Sequence, residues 1–312
     1  MKRNVLASTV AALAVLAGPA LADYPERPIT LIVPWSAGGG TDAVGRMLAE
    51  GLSEELGTGA GGIVGHTAMI DADADGYTIG LATAEITTYA AIGTSAISAD
   101  DMTAIGLVNF DASAFNVRAD SEWADAKEAL ADIGANPGKY KASGFPVGAA
   151  YHLAFASFLN QNGVDPTSIV VVPSQGAAPG FQELVAGGVA IVPSSLPEAA
   201  SMRDAGLVKT LAVLSAERLD AYPDVPTAEE AVGTASVGGT WRGIVGPKGL
   251  DQEVTVALEE ALSTVYQSDA FQDFMANRGF GVSWLGAGDF AAFMTEATAN
   301  NADVIGKLGL GQ

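Results

Sequence analysis

The chain has 312 residues, no cysteine and a formal charge of −21, from 36 acidic and 15 basic residues. Without cysteine it can form neither a disulfide nor a thiolate metal site, and its acidity argues against nucleic acid and anionic membrane surfaces as partners. Its length predicts two domains with enough buried surface to fold without disulfides.

The N-terminus has the pattern of an export signal. Lys2 and Arg3 precede an apolar run at 5–17, and small residues at 20–22 form a cleavage site. The apolar run is too short to span a bilayer, and no later run reaches the roughly 20 apolar residues that a crossing needs. We predict cleavage after Ala22 and a free periplasmic protein, whose charge becomes −23 when the two cations are removed.

The mature sequence alternates short β-rich runs with amphipathic helical stretches, which favours an α/β fold with largely parallel sheets. The predicted strands cover 29–33, 78–81, 104–108, 115–118, 140–143, 169–172, 189–192, 210–214, 243–245 and 281–284. The predicted helices cover 42–56, 123–133, 149–162, 181–186, 253–266 and 287–305.

The first predicted strand leads into a glycine loop. Three consecutive glycines follow the strand at 29–33, and an apolar-periodic helix begins directly after them. Such a loop presents unpaired N–H groups and the positive end of a helix dipole, which together hold an anion without a cationic side chain. The candidate ligand contacts here are Trp35, Ala37, Gly38, Gly39, Gly40, Thr41 and Asp42.

Polar turns follow several other strands. Ligands of parallel α/β sheets bind beyond the carboxyl ends of the strands, and these ends offer amides, hydroxyls and one carboxamide. The set can hydrogen-bond a ligand but is poorly equipped to transfer protons or attack a carbonyl. Glycine and serine are also ordinary turn residues, and that interpretation stays open. The candidates at these turns are Thr83, Ala84, Glu85, Ser143, Gly148, Ala149, His152, Ser174, Gln175, Gly176 and Ser194.

Three of these side chains have two interpretations each. Asp42 either contacts the ligand or binds backbone N–H groups and holds the glycine loop, and we favour the second because a carboxylate repels an anion. Glu85 either faces an amine of the ligand, which would make the ligand amphoteric, or is a solvated acid of a first helical turn. His152 either contacts the pocket or packs at a helix start. Arg46 is expected to pair internally or to face solvent.

Two catalytic patterns are present only in part. Residues 38–43 fit G-x-G-x-x-A, but no strand ending in an acidic residue follows where a dinucleotide-binding domain needs one. Residues 34–38 resemble G-x-S-x-G with proline in place of the first glycine, and neither His66 nor His152 lies where that fold places its base. Two distant histidines also make a poor metal site. We expect no enzymatic activity, no cofactor and no metal.

The order and spacing of short motifs resemble the Bug/TctC family, the extracytoplasmic solute receptors of tripartite tricarboxylate transporters. The matching residues run through almost the whole mature chain and include the GGGTD loop and the sequence YPDVPTAEE. They lie at 24–25, 28–29, 32–34, 38–42, 46, 59–62, 75–78, 142–144, 152–153, 172–173, 176, 184–188, 211–213, 218, 222–230 and 241.

The resemblance implies a two-lobed fold of the periplasmic-binding-protein type II kind, with two mainly parallel sheets joined by crossing strands. It implies one lobe from 23–118 plus 242–312 and another from 119–241, with 115–118 and 241–245 as the crossing strands. A monomer would close on a small organic carboxylate, held by amides, hydroxyls and waters, and deliver it to a membrane permease. The alternative is a receptor-derived sensory or structural protein without a transport ligand.

One segment departs from the family pattern. Members usually carry a second strand and a polar turn between the first helix and a Gly-Ala-Gly-Gly segment, whereas here Leu56-Gly57 is followed almost at once by Gly59. About nine residues are missing, close to one strand with its turn. Either the first lobe lacks an edge strand or the sequence carries a deletion. Trp35 also stands where phenylalanine is common, and we expect the larger ring to line the pocket.

Overall fold

The structure, a computed structural model, describes residues 24–35, 37–52, 54–57, 63–307 and 309–311. The predicted export signal at 1–22 lies outside the described residues. Over the part of the chain that the structure describes, no helix combines the length and the apolarity that a membrane crossing requires.

Strands and helices alternate through most of the chain. The strands are β1 (Ile29–Ile32), β2 (Glu54–Gly57), β3 (Thr78–Thr83), β4 (Met102–Arg118), β5 (Tyr140–Ala142), β6 (Ile169–Val171), β7 (Ile191–Ser195), β8 (Val208–Val213), β9 (Gly239–Pro247) and β10 (Val282–Gly286). The helices are α1 (Gly40–Leu52), α2 (Ile63–Ile70), α3 (Tyr89–Ile92), α4 (Ala126–Ala135), α5 (Ala150–Gln161), α6 (Ala177–Ala186), α7 (Leu196–Asp204), α8 (Ala228–Val232), α9 (Gln252–Gln267), α10 (Asp269–Arg278) and α11 (Ala287–Lys307).

The strands form two sheets that share β4. The first sheet runs β2-β1-β3-β9-β4, with β10 also on β4, and the second runs β4-β7-β5-β6, with β8 also on β4. Strands β1, β2 and β3 pair in parallel, as do β5, β6 and β7, whereas β4 and β9 run antiparallel to their partners. Each sheet is therefore mixed rather than mainly parallel, because the strands that join the two lobes run against their neighbours.

Strand β4 carries the chain from one lobe to the other. Its residues 102–112 pair with β9, and residues 113–117 pair with β7. The predicted crossing strand at 115–118 is thus the end of one long strand that also contains the predicted strand at 104–108. The return crossing lies just before β9, where the Gly238 N–H binds the Leu214 carbonyl at 3.1 Å. Residues 241–245, predicted to cross, pair wholly within the first sheet.

The first sheet has an edge strand in spite of the short segment after α1. Helix α1 ends at Leu52, and β2 pairs in parallel with β1 from Glu54 to Gly57. The prediction of helix up to residue 56 is therefore wrong. Pairing with the edge of β1 overrides the helix propensity of these residues, as tertiary contacts commonly do. The loss of an edge strand, which the sequence leaves open, is not observed here.

Each sheet has its own apolar core. In the first lobe α1, α9 and α10 cover the sheet through residues such as Leu48, Leu262 and Phe271. In the second lobe α4 packs on its sheet through Leu130 and Ile133, and α5 through Phe155 and Phe158. These cores hold the carboxyl ends of the parallel strands in place on both sides of a cleft.

Helix α6 approaches the turn after β5 very closely at Gly180. A Cβ at this position would lie 2.3 Å from the Gly144 Cα, so a side chain cannot enter unless the backbone moves. We expect Gly180→Ala to lower the free energy of unfolding by about 2–3 kcal/mol, measured by urea denaturation. The control is Gly134→Ala in α4, where a Cβ makes only an ordinary 3.6 Å contact and helix propensity favours alanine. Equal effects of the two changes would contradict this close approach.

Candidate functional site

A cavity lies between the two lobes. The turn after β1, the start of α1 and the end of β3 form one wall, and the turns after β5 and β6 with the start of α7 form the other. The strand ends therefore converge on it, as expected for ligand sites of open α/β sheets.

Half of the predicted site residues line this cavity. They are Trp35, Gly39, Gly40, Thr41, Thr83, Glu85, Ala149, Gln175 and Gly176. The others, which are not on its lining, are Ala37, Gly38, Asp42, Ala84, Ser143, Gly148, His152, Ser174 and Ser194. Ligand contact stays a prediction for all of them.

Several residues behind the lining shape its turns. Asp42 accepts hydrogen bonds from the Gly38 N–H at 3.0 Å and from Arg46 Nε at 3.1 Å, which confirms that it holds the glycine loop. The Arg46 side chain pairs with Asp42 and also faces solvent. His152 Nδ1 accepts from the Gly148 N–H at 2.9 Å, and its ring stacks on Phe145. Burial lowers the pKa of His152 to about 4, so the ring is neutral near pH 7.

The hydroxyls predicted at the strand ends are likewise used within the protein. Ser143 Oγ donates to the Val172 carbonyl at 2.8 Å, and Ser174 Oγ donates to the Gly176 carbonyl at 2.9 Å. Both bonds close turns next to the cavity.

Glu85 joins the two lobes at the cavity wall. Its side chain is buried, so the interpretation as a solvated acid is wrong. Its Oε1 accepts from the Ala150 N–H at 3.1 Å, the first amide of α5, and its Oε2 accepts from the Thr83 hydroxyl at 2.5 Å. A carboxylate from the first lobe thus binds a helix N-terminus of the second, where the helix dipole favours negative charge.

Glu198 makes the reciprocal contact. Its Oε1 accepts from the Gly40 N–H at 3.0 Å, and its Oε2 accepts from the hydroxyls of Tyr151 at 2.8 Å and Ser194 at 2.6 Å. A carboxylate of the second lobe therefore occupies the anion-binding start of α1. The prediction that the amides of the glycine loop are unpaired is wrong for Gly38 and Gly40, whose N–H groups bind Asp42 and Glu198.

Arg242 lies at the base of the cavity and is 1% exposed. Its Nη1 donates to Asp111 and, at 2.5 Å, to Asn109 Oδ1, and its Nε donates to Thr41 Oγ1 at 2.9 Å. Its Nη2 lies 3.6 Å from Glu198 Oε1. Burial alone lowers the pKa of Arg242, but the charges of Asp111 and Glu198 outweigh burial and raise it. The guanidinium is therefore charged and already neutralised by the protein.

Sequence reasoning misses Glu198 and Arg242, although each has a signal. Ser195 and Glu198 form an S-x-x-E pattern, which is typical of a helix that begins after the serine and carries the glutamate in its first turn. Arg242 stands alone in the apolar run of β9, where a buried cation must have a partner. Tyr151, Thr240 and the start of α6 at 177–179 also lie on the lining and are not predicted from the sequence. Residues 144–146 lie there too, in the polar turn after β5.

Two α/β lobes that share crossing strands and enclose a cavity between their strand ends define a periplasmic-binding-protein fold. A family model described as "Tripartite tricarboxylate transporter family receptor" matches residues 43–310, and the chain belongs to this TctC family. The resemblance to Bug/TctC receptors is thereby confirmed.

Individual relatives agree with this assignment. The chain is 31% identical over 284 residues to Protein BugT of Bordetella pertussis, which covers 86% of this chain and 85% of that protein. The structure of the periplasmic binding protein BugD is 29% identical, with a TM-score of 0.82 and coverage of 92% and 99%. R. palustris Rpa4515 with adipate shares the fold, with a TM-score of 0.85, 23% identity and coverage of 93% and 99%.

Proposed function

We propose that this protein is an extracytoplasmic receptor that binds a small organic carboxylate between its lobes and delivers it to a permease of the tripartite tricarboxylate type. Membership of the receptor family supports the proposal. The observation that carries it is the convergence of three helix N-termini, those of α1, α5 and α6, on one interlobe cavity. Helix N-termini are anion-binding sites without any cationic side chain. The protein would act as a periplasmic monomer, with no catalytic role.

The start of α6 is the place for the ligand's carboxylate. The starts of α1 and α5 already bind Glu198 and Glu85. In the described part of the chain, no side chain accepts a hydrogen bond from the start of α6. Ala177 and Ala178 line the cavity, and Pro179, at the third helical position, has no N–H to satisfy. The two alanine amides can therefore bind a carboxylate.

Small carboxylates are suitable first probes. Rpa4515 was solved with adipate and the malate-bound MatC of Rhodopseudomonas palustris has the same fold, although identities of 23% and 24% carry the likeness of the fold alone. A thermal-shift screen over mono-, di- and tricarboxylates, aromatic acids and amino acids tests the proposal. Micromolar binding at millimolar ligand stabilises a protein by about 4 kcal/mol. Silence across the panel would favour a sensory or structural protein without a ligand.

The placement at α6 has its own test, Ala177→Pro. Proline at the first helical position keeps the helix but removes one N–H from the cavity. We expect the affinity for the best carboxylate of the screen to fall at least about tenfold, with the free energy of unfolding changed by less than about 1 kcal/mol. Calorimetry measures the first quantity and urea denaturation the second.

Gln252→Pro is the matched control, because Gln252 is the exposed first residue of α9, away from the cavity lining. It should leave the affinity unchanged. If Ala177→Pro binds as tightly as the wild type, the carboxylate does not lie at α6.

A further inference from the structure

We infer that the ligand carries an ammonium group in addition to its carboxylate, and that Glu198 and Glu85 select for it. The inference rests on the proposed function, since it names the class of carboxylate that the same cavity would hold: a zwitterion rather than a diacid.

The charge of the cavity carries this inference. The charged residues on its lining are Glu85, Glu198 and Arg242, and the other residues on it are neutral. Arg242 is bound directly to Asp111 and lies 3.6 Å from Glu198. Asp111 balances the charge of Arg242, so Glu85 and Glu198 leave the cavity with an excess of two negative charges. In a buried place of low dielectric such charges act strongly on a ligand, so a second negative charge on the ligand is opposed and a positive one is favoured.

The hydrogen bonds lead to the same conclusion. A diacid needs donors at both ends, but the first amides of α1 and α5 are already bound to Glu198 and Glu85. Arg242 donates through Nε to Thr41 and through Nη1 to Asn109 and Asp111, and its Nη2 lies 3.6 Å from Glu198 Oε1. A second ligand carboxylate at the start of α1 or α5 would have to displace an acid of the protein from that helix, whereas an ammonium would leave these bonds intact.

Glu85 has the acceptor capacity that an ammonium requires. Each of its oxygens accepts one hydrogen bond from the described residues, from Ala150 and from Thr83. A carboxylate oxygen has two lone pairs, so both oxygens can accept a further bond. Glu198 accepts more bonds from the protein, mostly from hydroxyls, and its contribution to an ammonium is chiefly its charge.

The test compares probes that differ only at one end. Glutarate, 4-aminobutanoate and butanoate share a carboxylate on a three-carbon chain and end in a carboxylate, an ammonium and a hydrogen. The same trio with one methylene fewer (succinate, 3-aminopropanoate, propanoate) and one more (adipate, 5-aminopentanoate, pentanoate) varies the distance between the two ends. Dissociation constants are measured by calorimetry at pH 7 for the wild type, for Glu198→Gln, for Glu85→Gln and for the control Glu183→Gln. Glu183 is an exposed acid of α6 away from the lining.

At the best chain length we expect the wild type to bind the amino acid at least about tenfold more tightly than the diacid. Glu198→Gln and Glu85→Gln should each reduce that ratio at least about fivefold, and Glu183→Gln should leave it unchanged. Because two variants are measured, failure of one to fold leaves the other as a test. A wild type that binds the diacid as tightly as the amino acid, or ratios that neither glutamine variant changes, would overturn the inference while the proposed function stands. Binding of none of the nine probes and of no carboxylate in the wider screen would overturn both.

Discussion

Arg242→Gln is expected to lower the free energy of unfolding by about 3–5 kcal/mol, because it leaves Asp111 as an uncompensated buried charge. The two side chains are 1% and 2% exposed, so water cannot replace the lost partner. Among the residues that the structure describes, Asp111 would keep the hydrogen bonds from the Asn109 side chain at 3.0 Å and the Gly281 N–H at 2.9 Å. Urea denaturation at pH 7 measures the loss.

Two further variants test whether the loss of stability comes from the buried Arg242–Asp111 pair or from removing any arginine charge. Arg118→Gln removes an exposed cation bound to Asp120 and should cost less than about 1 kcal/mol. Adding Asp111→Asn to Arg242→Gln removes the orphaned charge and should recover part of the stability. The interpretation is wrong if both arginine changes cost the same, or if the double variant is no more stable than Arg242→Gln.

Lowering the pH from 7 to 5 is expected to reduce the free energy of unfolding by about 4 kcal/mol through His66 and His152. Burial lowers the pKa of each histidine from 6.5 to about 4. Both histidines are therefore protonated near pH 6.5 in the unfolded chain, but only near pH 4 in the folded protein. Each ring contributes its full stabilisation above pH 6.5 and loses it as the pH falls toward 4, about 2 kcal/mol of it by pH 5.

Burial opposes protonation of both rings, and at His152 a hydrogen bond adds to it. His152 Nδ1 accepts the Gly148 N–H, so a proton there would break a bond that shapes the cavity. His66 Nδ1 lies 3.1 Å from the Tyr89 hydroxyl inside the first lobe. Urea denaturation at pH 7, 6 and 5 should show a steeper loss for the wild type than for His66→Gln/His152→Gln. Parallel pH profiles of the two proteins would rule out the histidines as the cause.

The sequence predicts those parts of the site that are formed by hydrogen bonds between residues close together in the chain. The glycine loop and Asp42 lie within five residues, and the bond from Gly38 to Asp42 follows from that spacing. The partners of the same loop across the cleft come from far along the chain. Glu198 lies 158 residues after Gly40, and Arg242 lies 201 residues after Thr41. No periodicity in a single sequence joins such positions, so the charge of the cavity could not be predicted.

Buried polar residues explain the main error in the fold. Strand β4 appears in the sequence as two short strands because Asn109, Asp111 and Ser113 interrupt its apolar pattern. All three are buried, since Arg242, Gly281 and Pro193 supply their hydrogen-bond partners. The sequence also predicts the start of α6 too late, at 181 instead of Ala177, because Pro179 and Gly180 are typical of a loop. Proline is tolerated in a first helical turn, and glycine is what the contact with Gly144 requires.

The position of β9 has a consequence for how the molecule is made. This strand sits between β3 and β4, yet the chain reaches it only at Gly239, after the whole second sheet has been formed. While a polypeptide emerges with its N-terminus first, β3 can pair with β1 and β4 with β7, but the strand that joins β3 to β4 is still missing. Completion of the first sheet must therefore wait until about three quarters of the chain has been synthesised, and this timing suits the proposed export, in which the nascent chain has to stay unfolded.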